Sequence, residues 1–170
     1  MDEVDLPSLI SLAAGAIERH VREHLLASGF DGLRTRHGYV FQRLMTGPQS
    51  ISDLGRSLNV TQQAMSKTVR ELTDLGYVET ISDTSDARRK LVQLTARGHD
   101  SITAARDVRS RLNARVAGRV STPEFAGATV VLAALLNDLG IGGHVKDRSV
   151  PDPEGQPDNR HHRGGSATAS

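Results

Sequence analysis

Cysteine is absent from all 170 residues. Disulfides, thiolate-bound zinc and thiol redox sensing are thereby excluded. A dominant charge sign is lacking too: 21 Lys and Arg stand against 20 Asp and Glu, a formal net charge of +1. So even a balance announces no polyanionic partner, and any nucleic-acid surface must come from local motifs. No apolar run approaches the roughly 20 residues of a membrane span. The start, Met1-Asp2-Glu3-Val4-Asp5, has neither the basic region nor the apolar core of a secretion signal. A cytoplasmic protein without a membrane partner is expected. Enzyme signatures are also missing: there is no glycine-rich phosphate loop, nucleophile elbow, His-Glu-x-x-His or recognisable carboxylate pair. No α/β cofactor domain fits after Gly140, and neither cofactor nor bound metal is expected.

What is present is mostly helical pattern. Ile10, Ala13, Ile17, His20 and His24 recur at 3-4-3-4 spacing, flanked by Leu9, Val21 and Leu25, and Gly29 follows as a stop. A second helix is expected over Thr35–Met45, with Val40, Phe41 and Leu44, ending at Gly47-Pro48. Ser50 can cap a short helix through Leu58 whose inner face holds Ile51, Leu54 and Leu58. Asn59-Val60 make a tight turn, and Thr61 caps another helix to about Leu75, closed by Gly76. Met65, Val69 and Leu72 share its inner face, leaving Gln62, Gln63, Ser66, Lys67, Arg70 and Thr73 to the others. Two short helices about a tight turn, the second with a polar basic face, describe a helix-turn-helix.

Tyr77–Ile81 then alternates as a strand, answered by Leu91–Thr95. The intervening Ser82–Lys90 loop ends in Arg88-Arg89-Lys90, the basic tip of a wing. A long helix over about Ala96–Ala117 carries Ile102, Ala105, Val108, Leu112 and Val116 at helical spacing. A last one opens at Ser121-Thr122-Pro123-Glu124 and runs through Phe125, Leu132, Leu135, Leu136 and Leu139 to Gly140. Aliphatic residues that dense on a terminal helix need a covering partner. The fold class is therefore mainly α with a small β-hairpin wing. Residues 1–30 and 96–142 would form a helical dimerisation region and 33–95 a winged helix-turn-helix. Residues 143–170, rich in Pro, Gly and polar residues, read as a disordered tail.

The order helix, helix, helix-turn-helix, wing, long helix, terminal helix resembles the multiple antibiotic resistance regulator (MarR) family over about Leu9 to Leu139. The residues that carry the likeness are Ile51-Ser52-Asp53-Leu54-Gly55-Arg56-Ser57-Leu58-Asn59-Val60-Thr61 and Val69-Arg70-Glu71-Leu72 to Leu75-Gly76-Tyr77-Val78. The wing element Asp86-Ala87-Arg88 with Leu94-Thr95-Ala96-Arg97-Gly98 is the most characteristic piece. The resemblance implies a homodimer whose first and last helices interlock on a pseudo-palindromic double-stranded operator. It also implies release by a small molecule, aromatic, phenolic or drug-like, acting on a repressor. On that basis the helix capped by Thr61 enters the major groove. Gln62 and Gln63 suit adenine edges, while Ser66, Lys67 and Arg70 read bases or grip phosphates. Arg88, with Arg89 beside it, would reach the minor groove, and Asp86 would brace an arginine.

Two further features are open to more than one reading. Between Ala96 and Val120 six arginines face two aspartates, whereas Ser50–Thr95 is balanced. The arginines could steer DNA, although a solvated face accounts for most of them. His20 and His24 lie one turn apart, with His37 on the next helix. They could bind a metal in a metal-responsive regulator. Alternatively, with Phe41 and Met45, they could line the effector pocket that the family keeps between its dimer helices and winged-helix lobe. A winged helix that binds protein instead of DNA would show a neutral or apolar recognition helix, unlike this one.

Overall fold

The computed structural model describes residues 5–83 and 88–140. Asp86 and the stretch 141–170 lie outside the described residues. Six helices and one hairpin follow in the order α1 (Leu6–Ala27), α2 (Thr35–Leu44), α3 (Ile51–Ser57), α4 (Gln62–Asp74), β1 (Val78–Ser82), β2 (Lys90–Leu94), α5 (Ala96–Ala117) and α6 (Thr122–Asp138).

Local chemistry sets most of these boundaries. Each N-cap side chain at Asp5, Ser50, Thr61, Thr95 and Ser121 accepts a backbone N–H of the first turn it opens. Ser121 completes a capping box, because Glu124 reaches back to the Ser121 N–H at 2.8 Å. The ends of α3 and α4 each depend on a left-handed residue. Asn59, at φ 56°, lets Val60 N–H return to Gly55 O at 2.9 Å. Gly76, at φ 76°, lets Tyr77 N–H return to Leu72 O at 2.9 Å. Both are Schellman closures that satisfy orphan carbonyls.

Both ends of β1 fall one residue later than the alternation suggests, and both ends of β2 one residue earlier. Tyr77 N–H closes α4 and the Thr95 hydroxyl caps α5, while Thr95 N–H still donates to Tyr77 O at 3.1 Å just beyond the ladder. The hairpin is antiparallel, with Val78 opposite Leu94 and Ser82 opposite Lys90. Gln49 exchanges both backbone bonds with Val92 and so adds a minimal third strand ahead of α3.

Burial falls into two clusters. The larger joins Val40, Phe41 and Leu44 of α2, Leu54 and Leu58, Met65, Val69 and Leu72 of α4, Tyr77, Val78, Val92 and Leu94. This is the winged-helix lobe, with Phe41 tilted against Tyr77 at 6.0 Å between centroids. The smaller holds only Val21 and Leu25 of α1 against Val108 of α5, with Ala104 and Ala105 beside them. Phe30 and Leu33, in the corner between α1 and α2, pack against both clusters. No described helix is long and apolar enough to cross a membrane.

Candidate nucleic-acid interface

The lobe presents α4 with its apolar face sealed and its polar face outward. Met65, Val69 and Leu72 are buried, whereas Gln62, Gln63, Lys67 and Arg70 are exposed and Ser66 is half-buried. A shallow open depression runs along this surface, lined by Thr61, Gln63, Ala64, Ser66, Lys67 and Arg70. Gln62, although exposed, lies to one side of it. The first turn of α4 has no acidic residue, so the positive end of the helix dipole and two cations face the same space. An anionic backbone with base edges beside it matches that surface. The Thr61 hydroxyl accepts Ala64 N–H at 3.1 Å, which makes it the cap that starts the reading helix.

The far end of α4 is clamped to α2. Glu71 Oε2 accepts from Arg36 at 2.6 Å, and Arg34 lies 3.3 Å from Oε1. Burial alone would raise the Glu71 carboxyl. The Arg36 hydrogen bond and the charges of Arg36 and Arg34 hold it below its ordinary 4.5. His37, with 0% exposure, lies beneath this pair. Its Nδ1 accepts the Arg34 backbone N–H at 3.2 Å, which puts the proton of the neutral ring on Nε2, 3.5 Å from Glu71. Burial pushes this imidazole below 6.5, against the pull of Glu71 and with the push of Arg36 and Arg34. His37 is therefore a neutral structural residue under the recognition helix.

The wing is tethered as well. Arg89 donates to Asp53 Oδ2 of α3 at 2.7 Å and stands 3.8 Å from Asp83. Asp53 is further bonded by Ser50 and Arg56, and together these contacts keep its carboxyl below the ordinary 3.8. Lys90 donates to Ser82 across the hairpin at 2.9 Å. Arg88 is exposed beside them. Of the wing cations, Arg89 thus has a bracing contact that spacing alone did not reveal. Its side chain remains 51% exposed.

The histidines do not form one cluster. His20 and His24 meet edge to face on α1 at 4.2 Å, and His24 Nδ1 bonds His20 O at 2.8 Å. His37 and Phe41 are buried inside the lobe, whereas Met45 is exposed at the end of α2. Among the described residues no group of three or more His, Asp or Glu is placed to hold a metal ion. Sequence reasoning missed Arg36, Glu71, Asp53 and Arg97 as the side chains that hold the reading elements. The only available signal was their charge at positions facing other elements.

These features define a winged-helix fold with an open, polar and cationic helix face. Residues 40–98 match the family model of a winged helix DNA-binding domain. The chain is 36% identical over 75 residues to the HTH-type transcriptional repressor Rv2887 of Mycobacterium tuberculosis, and equally to Mb2911 of Mycobacterium bovis. Each alignment covers 44% of this chain and 54% of the relative, so the chain spans about half the length of the curated relatives it matches. Among solved structures, an S. aureus MepR variant bound to an oligodeoxyribonucleotide superposes with a TM-score of 0.59 at 18% identity, covering 81% of this chain and 99% of that one. S. aureus MepR bound to ethidium bromide gives 0.59 at 18%, covering 82% and 99%. A MarR variant from E. coli gives 0.58 at 21%, covering 80% and 99%. The chain shares the fold of these solved structures, and the stretch matched as a winged helix DNA-binding domain, residues 40–98, is set between helical flanks.

Proposed function

We propose that the chain is a homodimeric transcriptional repressor that binds a pseudo-palindromic operator and is released by a small aromatic or drug-like molecule. The observation that carries this reading is the open face of α4, with Gln63, Ser66, Lys67 and Arg70 around one depression at the positive end of a helix. That face is outward, cationic and rich in hydrogen-bonding groups, the combination that reads a major groove. Gln62 contributes from the side, and Arg88 reaches the flanking minor groove from the wing.

Dimerisation is supported by apolar surface that one chain leaves uncovered. Leu12 of α1 is 69% exposed and Val130 of α6 is 67% exposed, and no residue of α6 is buried. An apolar helix covered only partly, at Phe125, Leu135 and Leu136, needs a second helix set. A second copy of the same chain supplies α1 and α6 again, and two lobes then address two half-sites. Residues 5–30 and 96–140 would be the dimer region. Small-molecule release rests on likeness to a protein that is bound to ethidium bromide in one of its structures. His24 and Met45 are exposed and His20 is half-buried, so these are the members of the pocket set that a ligand could touch.

A binding titration tests the reading. Duplexes selected from a random pool by the purified protein should share an inverted repeat, and affinity for them should fall steeply as salt rises. Failure to select any duplex, or a complex insensitive to salt, overturns it.

A further inference from the structure

Arg97 is in a place where a cation is not expected. It lies in the first turn of α5, the positive end of that helix dipole, where acidic residues are favoured. Its guanidinium nonetheless points back into the molecule. Nη2 donates to Gly29 O at 2.8 Å, to Asp31 Oδ1 at 2.8 Å and to the Tyr77 hydroxyl at 3.3 Å. The guanidinium carbon stands 4.8 Å over the Tyr77 ring and 5.7 Å from the Phe30 centroid. Tyr77 closes the circuit by donating its O–H to Asp31 O at 2.8 Å.

Three segments therefore meet on one side chain: the corner after α1, the start of β1 and the start of α5. The partners are 66 and 20 residues away in sequence. That corner also joins the two apolar clusters, because Phe30 and Leu33 pack against both. Its backbone turns through Gly29 and Gly32, at φ 84° and 72°, residues whose own preferences hold no fixed angle. The rigidity of the corner must come from side chains, and Arg97 with Asp31 and Tyr77 supplies it.

We propose that Arg97 is a positioning residue: it latches the α1–α2 corner to the winged-helix lobe and fixes the angle at which α1 and α5 carry the DNA-reading helix. The latch itself is independent of the DNA reading, whereas its consequence for an operator rests on that reading. In a dimer on two half-sites, a fixed angle sets the spacing that both lobes can satisfy together.

The absence of cysteine makes the test direct. Ser11→Cys on α1 and Asp74→Cys at the end of α4 are exposed positions for a spin-label pair, measured in full-length protein diluted with unlabelled chain. The distance distribution should be narrow with Arg97 intact and about twofold broader or more in Arg97→Ala, as expected when a joint loses its restraint. Asp31→Ala should broaden it too, and Arg97→Lys should recover part of the narrowing. On duplexes selected by the wild-type protein, Arg97→Ala should bind a single half-site as wild type does. It should lose about tenfold in its preference for the selected spacing over one lengthened by a base pair.

A thermal melt accompanies each variant. Lowered melting with an unchanged distance distribution in both Arg97→Ala and Asp31→Ala would make the residue merely structural and overturn the proposal. If the wild-type protein selects no duplex, the DNA reading fails while the distance measurement still decides the latch.

Discussion

In the winged-helix lobe twelve hydrophobic side chains are buried against one another, from Val40 to Leu94. Among the described residues α1 and α5 share three, Val21, Leu25 and Val108, and α6 buries none. Helices α1 and α6 of the flanks are nevertheless rich in apolar residues, with Leu6, Leu9, Leu12 and Ile17 on α1, Val130, Val131 and Leu132 on α6 and Leu139 just beyond it all exposed. The contrast separates two kinds of stability. The lobe closes its own core and also ties its polar elements together, through Glu71 with Arg34 and Arg36 and through Asp53 with Arg89. The flanks hold surface that a single chain cannot cover. Hydrophobic burial is favourable only where water is displaced, so the flanks gain theirs on association.

The sharpest way to break this contrast is a cavity in the lobe. Leu72→Ala removes a side chain with no exposure, touching both the reading helix and the core. A loss of about 2–5 kcal/mol is expected in denaturant unfolding. The same truncation at Leu12, exposed in the single chain, should cost far less under conditions that keep the protein monomeric. Equal losses would erase the distinction between the regions.

Next in size is the effect of charge on α6. Val130→Asp with Val131→Asp should leave the lobe folded but weaken self-association about a hundredfold or more, since an unpaired carboxylate at a buried seam costs more than the about 1–3 kcal/mol of a neutral polar group. Sedimentation read together with circular dichroism checks this. A double variant that sediments as a dimer moves the interface away from α6.

On the lobe surface the effects are smaller and leave stability unchanged. Lys67→Ala and Arg70→Ala should each weaken duplex binding by about 1–3 kcal/mol if they read a base, or lower the salt slope by about one if they neutralise a phosphate. Arg89→Ala should act through Asp53. If so, Asp53→Ala reproduces its binding defect and adding Arg89→Ala to it changes nothing further.

The smallest expected effect is one of pH. Folding holds His37 below its ordinary 6.5, so the unfolded chain takes up a proton that the folded chain refuses. Stability therefore falls as pH drops through 6.5 toward the lowered value, with Arg34, Arg36 and Glu71 as the charges facing the ring. Above 4.5 the Glu71 pairing is intact, because its carboxyl is held below that value. Melting temperature should thus decline between those two pH values, and His37→Gln should flatten the decline. An unchanged slope in that variant assigns the pH dependence to another group.

Much of the fold was legible because its signals are short-ranged. A cap and the amide it accepts are three residues apart, as at Ser50, Thr61 and Ser121, and a helical stripe repeats within two turns. The face of α4 followed from the same periodicity: once Met65, Val69 and Leu72 are inward, Gln63, Lys67 and Arg70 must be outward. Tyr77 and Thr95, expected as strand residues, instead stand just outside the strands, where each also serves a neighbouring helix.

The sequence by itself determined the elements, their order and the polar reading face, since each is written within about four residues of itself. It could not say that Arg89 braces Asp53, that His37 is sealed beneath Glu71, or that Arg97 gathers Gly29, Asp31 and Tyr77. Those partners are 34 to 68 residues apart for all but Tyr77, at 20. Charge pattern alone does not choose among distant partners. Only the packed chain brings them within hydrogen-bond reach, and that packing turned a helix with a polar face into one held at a defined angle.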